Sequence, residues 1–239
     1  MKYVRDISGI LRTRPHLQPI EIDRECEQII REFMEFECGG FTLPIPTEAL
    51  TRLIERDADD LDLYADLSNN GKGIDGVTDF IKDKRPRVRI SKELTEATND
   101  HRLRTTLTHE YGHVKFHAPL VAAEALDQDL FGLDGTKAPL HCNRERIYSK
   151  STTNWMEWQA GYICGSLLMP LTSFKTFVLE FFKKASTHAP LKIGSPIADR
   201  LLAEISQKFN VSKDAAKIRL FQVGNGTFLT DGDIHLTLL

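Results

Sequence analysis

The sequence predicts an α+β fold in which a small antiparallel sheet packs on a mainly helical core, with a helical module at the C-terminus. Three observations predict this class. Apolar residues recur at helical spacing in the first and last parts of the chain, they alternate with polar residues between Asp60 and Ser91, and Gly or Pro separates the segments. We expect one domain over residues 1–190 and a smaller, helix-turn-helix-like module over residues 191–239.

Two helices are predicted before the sheet. The first lies in IEIDRECEQIIREFMEFECGG and ends at its glycine pair, and its apolar stripe contains Ile22, Cys26, Ile29, Ile30 and Phe33. The second, shorter helix lies in PIPTEALTRLIER, with Thr47 as its expected N-cap. The first twenty residues are mixed in character and interrupted by proline, so they support no structural prediction.

The sheet is predicted from three short segments. DLDLYADLS alternates apolar and polar residues, as a half-buried strand does. NNGKG is a turn, and IDGVTDFI and RVRIS are expected to be the next two strands. The sheet therefore directly precedes the histidine-rich part of the chain.

A third helix is predicted over residues 99–117, with Pro119 as its end. Residues 118–153 have no steady periodicity and predict a long, partly irregular insertion. The next helix lies in NWMEWQAGYICGSLLMP and stops at Pro170.

Three more helices follow. TSFKTFVLEFFKKAS is expected to bury Phe174, Phe177, Val178, Phe181 and Phe182. IADRLLAEISQKFN and SKDAAKIRLFQV complete the C-terminal module, and Ser212 is the expected N-cap of the last helix.

Composition excludes several classes of protein. The chain has 239 residues and a net charge of −3, which does not indicate a nucleic-acid or membrane-surface protein. The four cysteines form no CxxC pair, so neither a zinc ribbon nor a thioredoxin motif is predicted.

The start MKYVRDISGILRTR lacks the apolar run of an export signal. The longest charge-free stretch, Trp158 to Phe174, is shorter than the roughly 20 residues of a membrane span. We expect a cytoplasmic protein without a membrane partner.

The segment HEYGH carries the strongest chemical signal. Positions four apart on a helix differ by ~40° in direction, so His109 and His113 project from one face and can reach the same metal ion. Glu110 can reach a metal-bound water without binding the metal itself. Leu103, Leu107, Tyr111 and Val114 lie on the opposite side and are expected to anchor the helix in the core. The alternative is an exposed His/Glu face without a metal.

A catalytic zinc usually has three protein ligands and one open position. His117 does not have the spacing of the HExxHxxGxxH motif, so we predict a carboxylate from another helix. Glu157 is the only formally charged residue from Ser151 to Phe174, and a carboxylate in such surroundings is costly unless it is paired or bound to metal. The alternative is a first-turn glutamate that the helix dipole stabilises. Weaker candidates lie in the insertion: Glu124, Asp127, Asp129, Asp134, His141 and Cys142.

The chain resembles the ImmA/IrrE family of zinc metallopeptidases. The resemblance begins near Leu61, runs through RTTLTHEYGHVKFH and EWQAGYICGSLLMP, and ends with ISQKFNVSKDAAKIRLFQVG at Gly224. EWQAGYICGSLLMP is similar to the family's E-x-x-A-x-x-F-A-x-x-LLMP helix, although Ile163 and Cys164 replace the usual Phe-Ala pair. The insertion before this helix also looks longer than is usual in the family.

The resemblance implies a zincin-like fold and a site. His109, His113 and Glu157 would bind zinc, with manganese as the alternative metal, and Glu110 would be the general base. The family is associated with site-specific cleavage of helix-turn-helix repressors, so a repressor is the expected protein substrate. RVRIS is a candidate edge for pairing with an extended substrate segment. A further donor for the oxyanion could come from one of four side chains: His117, His141, Tyr148 and Tyr162.

Two rival interpretations stay open. A non-catalytic regulator could bind a repressor or DNA and hold a structural metal, with Cys142 closing the fourth ligand position. A complete His-Glu-His-Glu set argues against it, because a structural site has no need of Glu110. A metal hydrolase with a non-peptide substrate is the second rival. The C-terminal helices resemble half of a DNA-binding motif, but their weak positive charge does not predict direct DNA binding.

Overall fold

The computed structural model describes residues 2–6, 11–81, 83–95, 100–130, 140–143 and 155–230, without the side chains of 127–130 and 140–143. It confirms the α+β class. The helices are α1 (Pro19–Glu37), α2 (Thr47–Asp57), α3 (Asp100–Gly112), α4 (Ala118–Leu130), α5 (Trp155–Leu168), α6 (Leu171–Lys184), α7 (Pro196–Phe209) and α8 (Lys213–Gly224). The strands are β1 (Lys2–Arg5), β2 (Thr13–His16), β3 (Asp60–Ala65), β4 (Ile74–Asp79), β5 (Arg87–Ser91), β6 (Leu140–Asn143), β7 (Leu191–Lys192) and β8 (Leu229–Thr230).

The two N-terminal helices form as predicted. The apolar stripe of α1 is buried along its whole length, from Ile22 to Phe33. The predicted N-cap of α2 is wrong by one residue: Pro46 is the cap, and Thr47 is the first helical residue. The Thr47 hydroxyl instead donates to Asp100 at the start of α3. Ahead of both helices, β1 and β2 pair as an antiparallel hairpin.

The main sheet has the order β3-β5-β4-β6, and its strands are not all antiparallel. β4 is antiparallel to β5, as expected, whereas β3 and β5 are parallel. β4 also pairs antiparallel with β6, a strand that was not predicted and lies in the segment expected to be an irregular insertion. Val88 and Ile90 of β5 are both fully buried, which suits the central position of this strand between β3 and β4. The proposal that RVRIS is an exposed edge is consequently wrong: β5 has a partner strand on each side.

The helix that follows the sheet does not end at Pro119. α3 continues into a single π-helical turn, His113–His117, and then into α4. The N–H of Ala118 donates to the carbonyl of His113, five residues back. This wider turn restarts the hydrogen-bond register, so Pro119 lies in the first turn of a new helix, where its missing N–H is tolerated.

α3 and α5 cross at close range in the centre of the molecule. A Cβ atom on Gly112 would lie 3.2 Å from the Cα of Ala160, so the small residues at both positions let the backbones approach. Leu107, Tyr111 and Val114 anchor α3 in the main core, as predicted. α6 packs on the same core through four of the five predicted residues, and the fifth, Phe177, is partly buried.

No single helix in the described part of the chain is long and apolar enough to cross a membrane, although α5 and α6, bent by 64° where they meet, pass that test as a pair.

The C-terminal helices belong to the same hydrophobic core as the rest of the chain. Leu201, Ile205 and Leu220 are fully buried in it. The Ser212 hydroxyl accepts from the N–H of Ala215, so this residue is the N-cap of α8, as predicted. The domain division between residues 190 and 191 stays a prediction.

A buried ion pair ties α8 to two other helices. The Arg219 guanidinium donates to Asp23 of α1 at 2.6 Å, and both side chains are buried. Arg219 also donates to the carbonyl of Met169 and to the hydroxyl of Ser166, at the end of α5. Asp23 in turn accepts from Ser166 and from Tyr162. This network fixes α1, α5 and α8 relative to one another.

Candidate metal centre

Three side chains from two helices converge where α3 crosses α5. His109 and His113 project from one face of α3, and Glu157 lies in the first turn of α5. The two Nε2 atoms are 3.2 Å apart. The carboxylate oxygens of Glu157 lie 3.2 Å from Nε2 of His109 and 3.5 Å from Nε2 of His113. The ligand atoms of His109, His113 and Glu157 all lie within 4.8 Å of one another, so these three side chains can hold a metal ion.

The chemistry of the three donors fits zinc. Two imidazole nitrogens and one carboxylate oxygen are the His₂Glu set of catalytic zinc sites, which leave a coordination position open. All three side chains are buried, with Glu157 only 4 % exposed. Burial, together with the neighbouring rings of His117 and His109, lowers the pKa of His113 well below its usual range. His113 is therefore neutral near pH 7, as a metal ligand must be.

Glu110 lies beside this group but turns toward the sheet. Its side chain is fully buried, and Oε2 accepts a hydrogen bond of 2.6 Å from the hydroxyl of Thr78 on β4. Gly76, on the same strand, makes the approach possible, because a Cβ there would lie 2.7 Å from Oε1 of Glu110 and 2.8 Å from Cγ2 of Thr106. The arrangement places a carboxylate next to the donor group in a fixed orientation.

His117 occupies a position that the sequence did not predict. It was a candidate oxyanion donor, but its Nδ1 lies 2.9 Å from Nδ1 of His113, the ring nitrogen opposite the converging Nε2 atoms. Its own Nε2 lies 2.8 Å from Oε1 of Gln159 on α5. His117 is therefore behind His113, where it can act neither as a metal ligand nor on a substrate oxyanion.

Of the other accessory candidates, the structure describes the side chain of Tyr162 alone, and this side chain points away from the centre. The hydroxyl of Tyr162 donates to Asp23 of α1 at 2.9 Å, so this side chain belongs to the buried ion-pair network. His141 and Cys142 lie in β6, where their backbones pair with Val77 and Gly76, and their side chains are outside the description. Tyr148 lies outside the described residues altogether.

Sequence reasoning missed three residues around the centre: Gly76 and Thr78, which contact Glu110, and Gln159, which contacts His117 behind His113. A glycine inside a predicted strand signals close approach by another group, so Gly76 could have been found. Thr78 could not, because a threonine in a strand is ordinary. Gln159 could have been found, because an amide within an otherwise apolar helix needs a hydrogen-bond partner just as a buried carboxylate does.

Comparison with known families gives one match. The family described as the IrrE N-terminal-like domain, Peptidase_M78, matches residues 66–221, well over half of the chain. The matched range contains β4, β5 and all four residues of the centre. A comparison with curated proteins gives no significant match.

Proposed function

The chain belongs to the IrrE N-terminal-like peptidase family, and from that premise we propose that it is a zinc-dependent endopeptidase that makes a limited cut in a helix-turn-helix repressor. The family supports the peptidase class, as the resemblance in the sequence predicted. One observation in the structure carries the catalytic part: Glu110 directly follows the donor His109 in α3, and Thr78 holds its carboxylate in place. A structural metal site would leave such a carboxylate without a role.

In this proposal His109, His113 and Glu157 hold the metal, with manganese as the alternative to zinc. A bound zinc ion supplies Lewis acidity, which lowers the pKa of water to ~7 and polarises a carbonyl group. The residues of the chain do the rest. His113 supplies a neutral nitrogen because burial disfavours its protonation. Glu157 supplies the negative charge of the site from the first turn of α5.

Glu110 is the proposed general base. Its carboxylate accepts a proton from the attacking water and then delivers that proton to the leaving amine of the peptide bond. The Thr78 hydroxyl donates to one carboxylate oxygen, so it fixes the rotation of the group. Because Gly76 has no side chain, the Glu110 carboxylate can occupy the space where a Cβ atom would lie.

The burial of the centre supports selective cleavage. Its four side chains are between 0 and 4 % exposed, so a folded surface cannot reach Glu110. A substrate has to present an extended segment that enters the site, and this requirement favours a limited cut over general degradation. That the segment belongs to a repressor rests on the family resemblance alone.

The test is incubation of the zinc-loaded protein with a purified helix-turn-helix repressor encoded beside it, followed by intact-mass spectrometry. We expect two fragments from a single cut, and none with Glu110→Gln. An uncut repressor, together with degradation of an unrelated unfolded protein, would overturn the substrate but keep the peptidase. No cleavage of either protein by the zinc-loaded chain would overturn the peptidase itself.

A further inference from the structure

The proposed hydrolysis leaves one buried histidine without a role. His117 ends the π-helical turn and is fully buried between two rings, with centroid distances of 4.9 Å to His113 and 5.4 Å to Trp155. Its two nitrogens face two specific partners, Nδ1 of His113 and Oε1 of Gln159. A ring held this closely at both nitrogens constrains where its hydrogen lies.

The hydrogen positions follow from the partners. His117 is fully buried, and its nitrogens face a ring nitrogen and an amide oxygen rather than a carboxylate, so its ring is neutral and carries a single N–H. An amide oxygen can only accept, so Nε2 of His117 donates to Gln159 across 2.8 Å. Its Nδ1 is then an acceptor, and Nδ1 of His113 must donate to it across 2.9 Å.

These hydrogen positions leave a lone pair on Nε2 of His113, the nitrogen that faces His109 and Glu157. With its hydrogen on Nδ1, His113 presents an unprotonated Nε2, which lies 3.2 Å from Nε2 of His109 and 3.5 Å from Glu157. The opposite tautomer would place a hydrogen where the metal must bind. Metal-binding histidines are commonly fixed in this way by an acceptor on their second nitrogen.

We propose that Gln159 and His117 form a relay that fixes the tautomer of His113 and so prepares it to bind the metal. The proposal rests on the proposed function, because it gives the two residues a role only if His113 is a ligand. Both are positioning residues, since neither reaches the reacting atoms. The π-helical turn has a purpose in this account: it holds His117 directly behind His113.

The relay serves one imidazole only. Among the described residues, Nδ1 of His109 is buried and has no hydrogen-bond partner. Loss of the relay should therefore weaken metal binding without abolishing it, because His109 and Glu157 stay in place. Removing a partner behind a metal-binding histidine typically costs about 10- to 100-fold in affinity.

The test measures zinc affinity by competition with a chromophoric chelator. His117→Leu and Gln159→Leu remove the acceptor and the amide, and each should weaken binding by about 10- to 100-fold. His117→Asn places an amide oxygen near the position of Nδ1, so it should restore much of the affinity lost in His117→Leu. Thermal unfolding of the metal-free variants shows whether they fold.

A second readout needs no variant. Long-range ¹H–¹⁵N correlation spectra of the metal-free wild type, labelled at histidine, report the tautomer of each ring directly. We expect hydrogen on Nδ1 of His113 and on Nε2 of His117. The opposite tautomer, or wild-type zinc affinity in folded His117→Leu, would overturn the relay. If the wild type binds no zinc, both the relay and the proposed function are overturned. If His117→Leu is active and binds zinc as tightly as the wild type, only the relay is overturned.

Discussion

Replacing Glu110 by glutamine is expected to lower kcat/KM for peptide cleavage by about 10²- to 10⁴-fold, the usual contribution of a general base. Glutamine has nearly the same shape and can still accept the hydrogen bond from Thr78. Its amide cannot take a proton from water, so only the proposed chemical role is lost. The metal content should not change, because Glu110 is not one of the three converging donors.

The measurement compares the rate of repressor cleavage with the zinc content of the same sample. Glu180→Gln is a matched control, since Glu180 lies on the exposed side of α6 and, among the described residues, forms an ion pair with Lys184 on the same helix. It should cleave at the wild-type rate. A Glu110→Gln protein that cleaves like the wild type would show that another group is the base, and an inactive one that has also lost its zinc would show that Glu110 supports metal binding instead.

Replacing Asp23 by alanine is expected to lower the free energy of unfolding by about 3–5 kcal/mol, because it leaves a buried charge without its partner. Arg219 is fully buried and donates to Asp23 at 2.6 Å. Two further donors, Tyr162 and Ser166, lose their acceptor at the same time. The helices α1, α5 and α8 would then lose their common polar contact.

Urea unfolding followed by tryptophan fluorescence measures this change. The matched control is the double variant Asp23→Ala/Arg219→Met, which removes both charges and should be more stable than Asp23→Ala alone. An Asp23→Ala protein with the stability of the wild type would mean that the C-terminal helices do not depend on this ion pair.

The three converging donors could be predicted from local signals. His109 and His113 lie four positions apart, a spacing that fixes their common direction on any regular helix. Glu157 could be identified because it is the lone charge in an apolar helix. In the structure this helix, α5, is largely buried and packs closely against α3. The main helices and the α+β class could be predicted for the same reason, since their apolar periodicity is local.

The features that could not be predicted depend on distant parts of the chain. The parallel pairing of β3 with β5 accompanies the position of β5 between β3 and β4, and strand alternation alone does not encode that order. The passage of the helix through Pro119 is a local exception, since it depends on the π-helical turn just before it and apolar periodicity does not signal such a turn. The positions of Thr78 and Gln159 depend on elements that are separate in sequence and meet only in the folded chain.

Metal stoichiometry by native mass spectrometry tests the central claim most directly. The wild type and Glu157→Ala would be purified without added metal, supplied with zinc and freed of excess by desalting, with Glu180→Ala as the control for loss of a glutamate. We expect a single zinc ion in the wild type and in Glu180→Ala, and weak retention in Glu157→Ala. A wild type that stays empty after zinc is supplied would contradict it, and so would a Glu157→Ala protein that retains zinc like the wild type.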